Sequence, residues 1–183
     1  MTTKRYAALL RGVNVGGRRK LPMAELRDLL TGLGYTGVAT HLQSGNAFFT
    51  TGATDEAVLA QALEDAVERR FGFRAGCVVR DAAYLRAVVD GCPFPAAELE
   101  PRQLHVTYFS APVTEGRFAA VDPARFAPEE FRLGDRALYL LAPDGLGRSA
   151  LADTLARPAL LKGLVATTRN WNTVRALADR TED

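Results

Sequence analysis

Cysteine, histidine and tryptophan are all scarce in this chain of 183 residues, which holds two Cys, two His and one Trp. Cys77 and Cys92 alone cannot build a disulfide framework, and neither sits in a redox motif. Together with His41 and His105 they lack the spacing of a zinc site, so no metal is expected. No apolar run approaches the roughly 20 residues a bilayer-spanning helix needs; Tyr6 to Leu10 and Ala137 to Ala142 are among the longest. Arg11 interrupts any leader-like segment at the start, and the chain reads as cytoplasmic.

What is present is ordinary globular composition, 48% hydrophobic and 24% charged, enough for one domain or two small ones. The net charge of +2 conceals an uneven distribution. Met1 to Ala24 carries six basic residues and no acid, and Thr154 to Ala178 carries four more, again without an acid. These segments sum to +10 and leave −8 for the remainder. Such asymmetry points to an anionic partner shared by the two ends.

Periodicity yields a coarse map. Tyr6–Leu10 reads as a buried strand, and a helix follows from Pro22 to Gly34 with Met23, Leu26, Leu29, Leu30 and Leu33 on one face. Val38–Gln43 and Asn46–Thr51 read as a hairpin turning at Ser44-Gly45. A second helix runs from a Thr54 cap to Phe71-Gly72, and Cys77–Val79 is a strand. This β-α-β-β-α-β order matches the ferredoxin-like arrangement. Asp81 caps a short helix, after which Gly91–Pro95 and Pro101 break regular structure, placing a boundary between residues 1–92 and 93–183.

The second half reads as strand Leu104–Phe109, a helix over Thr114–Val121, a Phe131–Leu133 and Ala137–Leu141 hairpin, and a helix over Ser149–Ala156. Thr168 caps a final helix with Trp171, Val174, Leu177 and Ala178 on its apolar face. The fold class expected is α+β, two ferredoxin-like subdomains with antiparallel sheets and a C-terminal helix.

Three stretches carry more polar groups than their turns require. In Arg11-Gly12-Val13-Asn14-Val15-Gly16-Gly17-Arg18-Arg19-Lys20, the glycines permit turns whose successive amides form an anion-attracting concavity, and four basic side chains surround them. Gly12 and Gly17 have P-loop spacing, but Arg18-Arg19 stands where Lys and Ser/Thr would reach phosphate and magnesium. The glycines do not fit a dinucleotide fingerprint either. Gln43, Ser44 and Asn46 offer hydroxyl and amide groups. Arg169 and Asn170 precede the final helix, whose N-terminus suits anions.

Arg11–Gly17, Met23-Ala24-Glu25-Leu26, Leu42–Asn46 and Thr167–Thr173 together closely resemble the bacterial domain-of-unknown-function family 1697. The resemblance implies two ferredoxin-like subdomains in a small cytoplasmic protein and no established activity. One departure is His41, where the family pattern usually has an aromatic residue.

No cofactor is implied, and no general base accompanies Ser44, since both histidines fall in predicted strands. Two classes remain. One is a binding module for a small phosphorylated or other anionic ligand, with Arg11, Asn14, Gly16, Gly17, Arg18, Gln43, Ser44, Asn46, Arg169 and Asn170 as candidate contacts and nucleic acid as the less favoured partner. The other is an enzyme acting on such a ligand. The three motifs are expected to meet in space.

Overall fold

A computed structural model describes residues 2–182. Contacts divide the chain into two units, Met1–Arg86 with Leu177–Asp183, and Ala87–Ala176.

The first unit opens with β1 (Lys4–Leu10), α1 (Met23–Gly32), β2 (Thr36–His41), β3 (Asn46–Thr51), α2 (Glu56–Phe71) and β4 (Cys77–Asp81), and α3 (Ala82–Asp90) begins in it. Its sheet has the order β2-β3-β1-β4, antiparallel throughout, which is the ferredoxin-like order. Alternation along β1 decides what each face does. Tyr6, Ala8 and Leu10 pack with Leu26 and Leu30 of α1 and Leu59, Leu63 and Val67 of α2 in one apolar core. Each fully buried leucine there contributes on the order of 1.5–3 kcal/mol relative to exposure. The opposite face carries Ala7 and Leu9 beside Phe48.

That face is not open. The final helix, α5 (Trp171–Glu182), ends over it: the Arg180 guanidinium lies 4.9 Å from the Phe48 ring centroid, and Arg5 Nε donates to the Arg180 carbonyl at 3.0 Å. Leu177, Ala178 and Thr181 are buried.

The second unit holds β5 (Leu104–Phe109), β6 (Glu130–Gly134), β7 (Ala137–Leu141), α4 (Ala150–Leu155), β8 (Ala166–Asn170) and the start of α5. Its antiparallel order, β6-β7-β5-β8, repeats that of the first sheet. Phe109, Leu138 and Leu140 pack with Phe118, Leu151 and Leu155.

The repeat reaches the sequence. Arg80–Asp90 (RDAAYLRAVVD) and Arg169–Asp179 (RNWNTVRALAD) align without a gap, with Arg80/Arg169, Arg86/Arg175, Ala87/Ala176 and Asp90/Asp179 identical. Each segment is a strand end running directly into a helix. Asp81 Oδ1 accepts from Tyr84 N at 2.9 Å, and Asn170 Oδ1 accepts from Thr173 N at 3.1 Å. Both arginines are buried, and both donate through Nη1 to the carbonyl of the residue before them.

Several local expectations are corrected. No α-helix forms over Thr114–Val121; the chain makes short 3-10 turns at Glu115–Phe118 and Pro123–Arg125, because Gly116 and Pro123 disfavour the longer helix. The second helix is capped by Asp55, not Thr54: its carboxylate accepts from Ala57 N and Val58 N. Thr168 is not the cap of the final helix, since β8 continues through Asn170. Among the described residues, no helix is long and apolar enough to cross a membrane.

Candidate functional site

The loop from β1 to α1 is a miniature hairpin. Arg18 N donates to Val15 O at 3.1 Å, and Asn14 N donates to Arg19 O at 3.0 Å. Gly16 and Gly17 form its two-residue tip at φ 60° and 73°, the conformation two-residue turns of this hand require. Gly12, Asn14 and Arg19 are also left-handed, at φ 67°, 56° and 50°.

Asn14 fixes this loop to its surroundings. Its Nδ2 donates to Leu21 O at 2.9 Å and to Gln43 O at 2.7 Å, while Oδ1 accepts from Leu21 N at 2.8 Å. One side chain therefore ties the basic loop to the approach of α1 and to the turn between β2 and β3. That turn is held a second time, by Leu10 N donating to Gly45 O at 2.8 Å, and Gly45 abuts Val13 and Leu10 too closely for any side chain.

The first two motifs thus form one patch. Arg11, Gly16, Gly17, Arg18, Gln43 and Ser44 are exposed on it, along with Arg19 and Lys20. Among the described residues none of these four basic side chains pairs with an acid. Arg19 lies 6.0 Å from the Phe73 ring centroid. Asn46 is buried instead: its Nδ2 donates to His41 O at 2.9 Å and to Ser44 Oγ at 3.1 Å, bracing the turn from below.

The third motif belongs to the second unit. Arg169 is buried at the end of β8, where Nη1 donates to Thr167 Oγ1 at 2.6 Å and to Thr168 O at 3.0 Å. Thr168 shares a hydroxyl contact of 2.7 Å with Thr107 on β5. Asn170 is the helix cap already described.

Sequence reading passed over two exposed apolar residues flanking the Asn14–Gln43 contact, Val15 at 66% exposure and the left-handed Leu42 at 57%. The signal for Val15 was available, because Val-Gly-Gly-Arg is a two-residue hairpin turn in sequence.

The histidines differ in environment. Burial, and then the Arg180 charge, push the His41 pKa below its ordinary value; burial alone does so for His105. Among the described residues, no group of three or more His, Cys, Asp or Glu side chains is placed to hold a metal ion.

Residues 3–139 match the profile of a family described as a protein of unknown function, DUF1697. The chain belongs to the DUF1697 family. The matched span takes in both motifs of the patch and ends before Thr167–Thr173. The chain is also similar to a solved structure, a conserved bacterial protein from Streptococcus pneumoniae, with a TM-score of 0.80 and 23% identity over 100% of both chains. That likeness is one of fold. No curated protein matches this DUF1697 member.

Proposed function

We propose that this DUF1697 protein binds a small phosphorylated or otherwise anionic molecule at the patch joining the β1–α1 loop to the β2–β3 turn. The observation that carries the reading is the bracing by Asn14, which holds a loop of exposed, acid-free cations against the turn that presents Gln43 and Ser44. A loop fixed before its ligand arrives loses less entropy on binding. In this reading Arg11, Arg18, Arg19, Lys20, Gln43, Ser44 and the Gly16-Gly17 backbone face the ligand. Asn14, Asn46, Arg169 and Asn170 hold the fold.

Binding is favoured over catalysis because the histidine nearest the turn in sequence, His41, is occupied by Arg180 at 3.0 Å. A small anion is favoured over nucleic acid because the first sheet's outer face, where a ferredoxin-like fold would stack bases, lies under the end of α5.

The test is titration with phosphorylated metabolites and with oligonucleotides across a salt series. Arg11→Ala and the double change Arg18→Ala/Arg19→Ala are each expected to weaken metabolite binding about 10- to 100-fold, as loss of a charge-assisted hydrogen bond of roughly 1.5–3 kcal/mol implies. Tight oligonucleotide binding would overturn the reading if its log-log salt slope were near −0.9 per phosphate and only the double change abolished it.

A further inference from the structure

A second set of cations, none belonging to the loop patch, gathers at the outer edge of β2. This strand is outermost in its sheet, and Thr40 near its end is held by arginines from two other elements. Arg27 of α1 donates through Nη1 to Thr40 Oγ1 at 2.6 Å, and Arg180 of α5 donates through Nη1 to the Thr40 carbonyl at 3.3 Å. The same Arg180 nitrogen lies 3.0 Å from His41 Nδ1. A guanidinium only donates, so Nδ1 is the acceptor and the imidazole is neutral, with its proton on Nε2. Arg5 of β1 joins them, its guanidinium 5.8 Å from the Phe48 ring over which Arg180 also lies.

Arg180 from α5 is the charge that meets His41, Arg27 from α1 meets the neighbouring Thr40, and Arg5 from β1 lies with Arg180 over Phe48; among the described residues no carboxylate pairs with any of the three. Other arginines of this unit are compensated. Arg74 meets Glu64, Asp65 and Glu68; Arg86 meets Asp179 and Glu182; Arg80 meets Glu56. Like charges collected around one residue repel, and an anion among them removes the repulsion.

We propose that Arg27, His41 and Arg180 form a site for a doubly charged tetrahedral oxyanion, phosphate or a phosphate monoester, at the edge of β2, and that its occupation fastens residues 177–182 to the first sheet. The oxyanion accepts from Arg27 and Arg180 in place of their bonds to Thr40. Arg180 leaves His41 Nδ1, which takes a proton and donates it in a hydrogen bond to the anion. Binding and protonation of His41 thus reinforce one another.

The experiment is an NMR titration of the full chain, whose two histidines make His105 an internal reference. The imidazole signals are followed from about pH 8 to about pH 5 in chloride and in sulfate of equal ionic strength, sulfate staying dianionic across that range. The His41 midpoint is expected to rise by about one pH unit in sulfate, equivalent by linkage to about tenfold tighter sulfate binding by the protonated form. That of His105 should stay put. Arg27→Gln removes an exposed guanidinium, leaves the core intact, and is expected to erase most of the rise; Arg180→Gln should do the same. Arg18→Ala/Arg19→Ala should leave the rise unchanged, which separates this site from the loop patch. Equal His41 midpoints in the two salts, or a rise that survives Arg27→Gln, would overturn the proposal. At fixed pH, equal affinities for inorganic phosphate and a phosphate monoester would support a site for the bare oxyanion. A monoester bound at least about tenfold tighter would support a phosphorylated molecule as its natural occupant. Binding of neither would overturn the proposal.

Discussion

Replacing Asn14 separates two things this residue does at once. It holds a left-handed backbone at φ 56°, and its amide makes the three hydrogen bonds that join the basic loop to Leu21 and Gln43. Asn14→Gly keeps the backbone comfortable and removes all three bonds. At about 0.5–1.5 kcal/mol net per bond, with the Leu21 N–H left without its acceptor, the loss comes to about 2–4 kcal/mol. Asn14→Ala removes the same bonds and also puts a Cβ in left-handed space, costing roughly 1–2 kcal/mol more. Urea unfolding followed by far-UV circular dichroism, with free energies extrapolated to water, measures both. The expected order is wild type, then Gly, then Ala. If both variants stay within about 0.5 kcal/mol of wild type, a shift typical of surface changes, then Asn14 does not brace the loop and the patch loses its foundation.

Other substitutions probe the remaining structure. Gly45→Ala puts a Cβ 2.7 Å from Val13 Cγ2 and 2.9 Å from Leu10 Cβ at φ 87°, and should cost about 2–5 kcal/mol in a thermal melt; a loss below about 1 kcal/mol would contradict the packing described. Leu177→Ala, at a fully buried position, should destabilise by about 2–5 kcal/mol and raise amide exchange in β1 and β3, whereas exchange changes confined to α5 would argue against its covering the first sheet. His105 has a pKa below its unfolded value, so its contribution is fully present above the unfolded pKa and is lost as pH falls through and below about 6.5, at no more than about 1.4 kcal/mol per pH unit. His105→Leu should flatten that slope at little cost at neutral pH, because Nδ1 is buried and has no partner among the described residues; an unchanged slope in urea unfolding across the acid range would refute the assignment.

The β-α-β-β-α-β order of the first half was legible because each element shows its period and a turn residue where it ends: Ser44-Gly45 between strands, Gly72 after α2 at φ 77°. The joint between β8 and α5 was misread because Thr168 is as good a cap by type as Asn170, and only the strand pairing of Thr168 with Thr107 decides between them. The second half resisted because 3-10 turns carry no apolar stripe. The repeat between Arg80–Asp90 and Arg169–Asp179 was present in the letters, yet it emerges only when the two strand-to-helix joints are laid side by side. As for the candidate site, glycines and charge located the loop. That Asn14 is a brace, and that Arg27 and Arg180 converge on Thr40, depends on partners up to 140 residues distant, which no local pattern encodes.

The division of α5 also fixes an order of events during synthesis. Residues 177–182 lie over the outer face of the first unit's sheet, yet they leave the ribosome only after all of the second unit has been made. The nascent first unit therefore waits with Phe48 and its neighbours uncovered while about 90 further residues are added, several seconds at ordinary elongation rates. An apolar sheet face held open for that long is a surface on which a chaperone or a neighbouring nascent chain can act. The first unit is begun first and closed last.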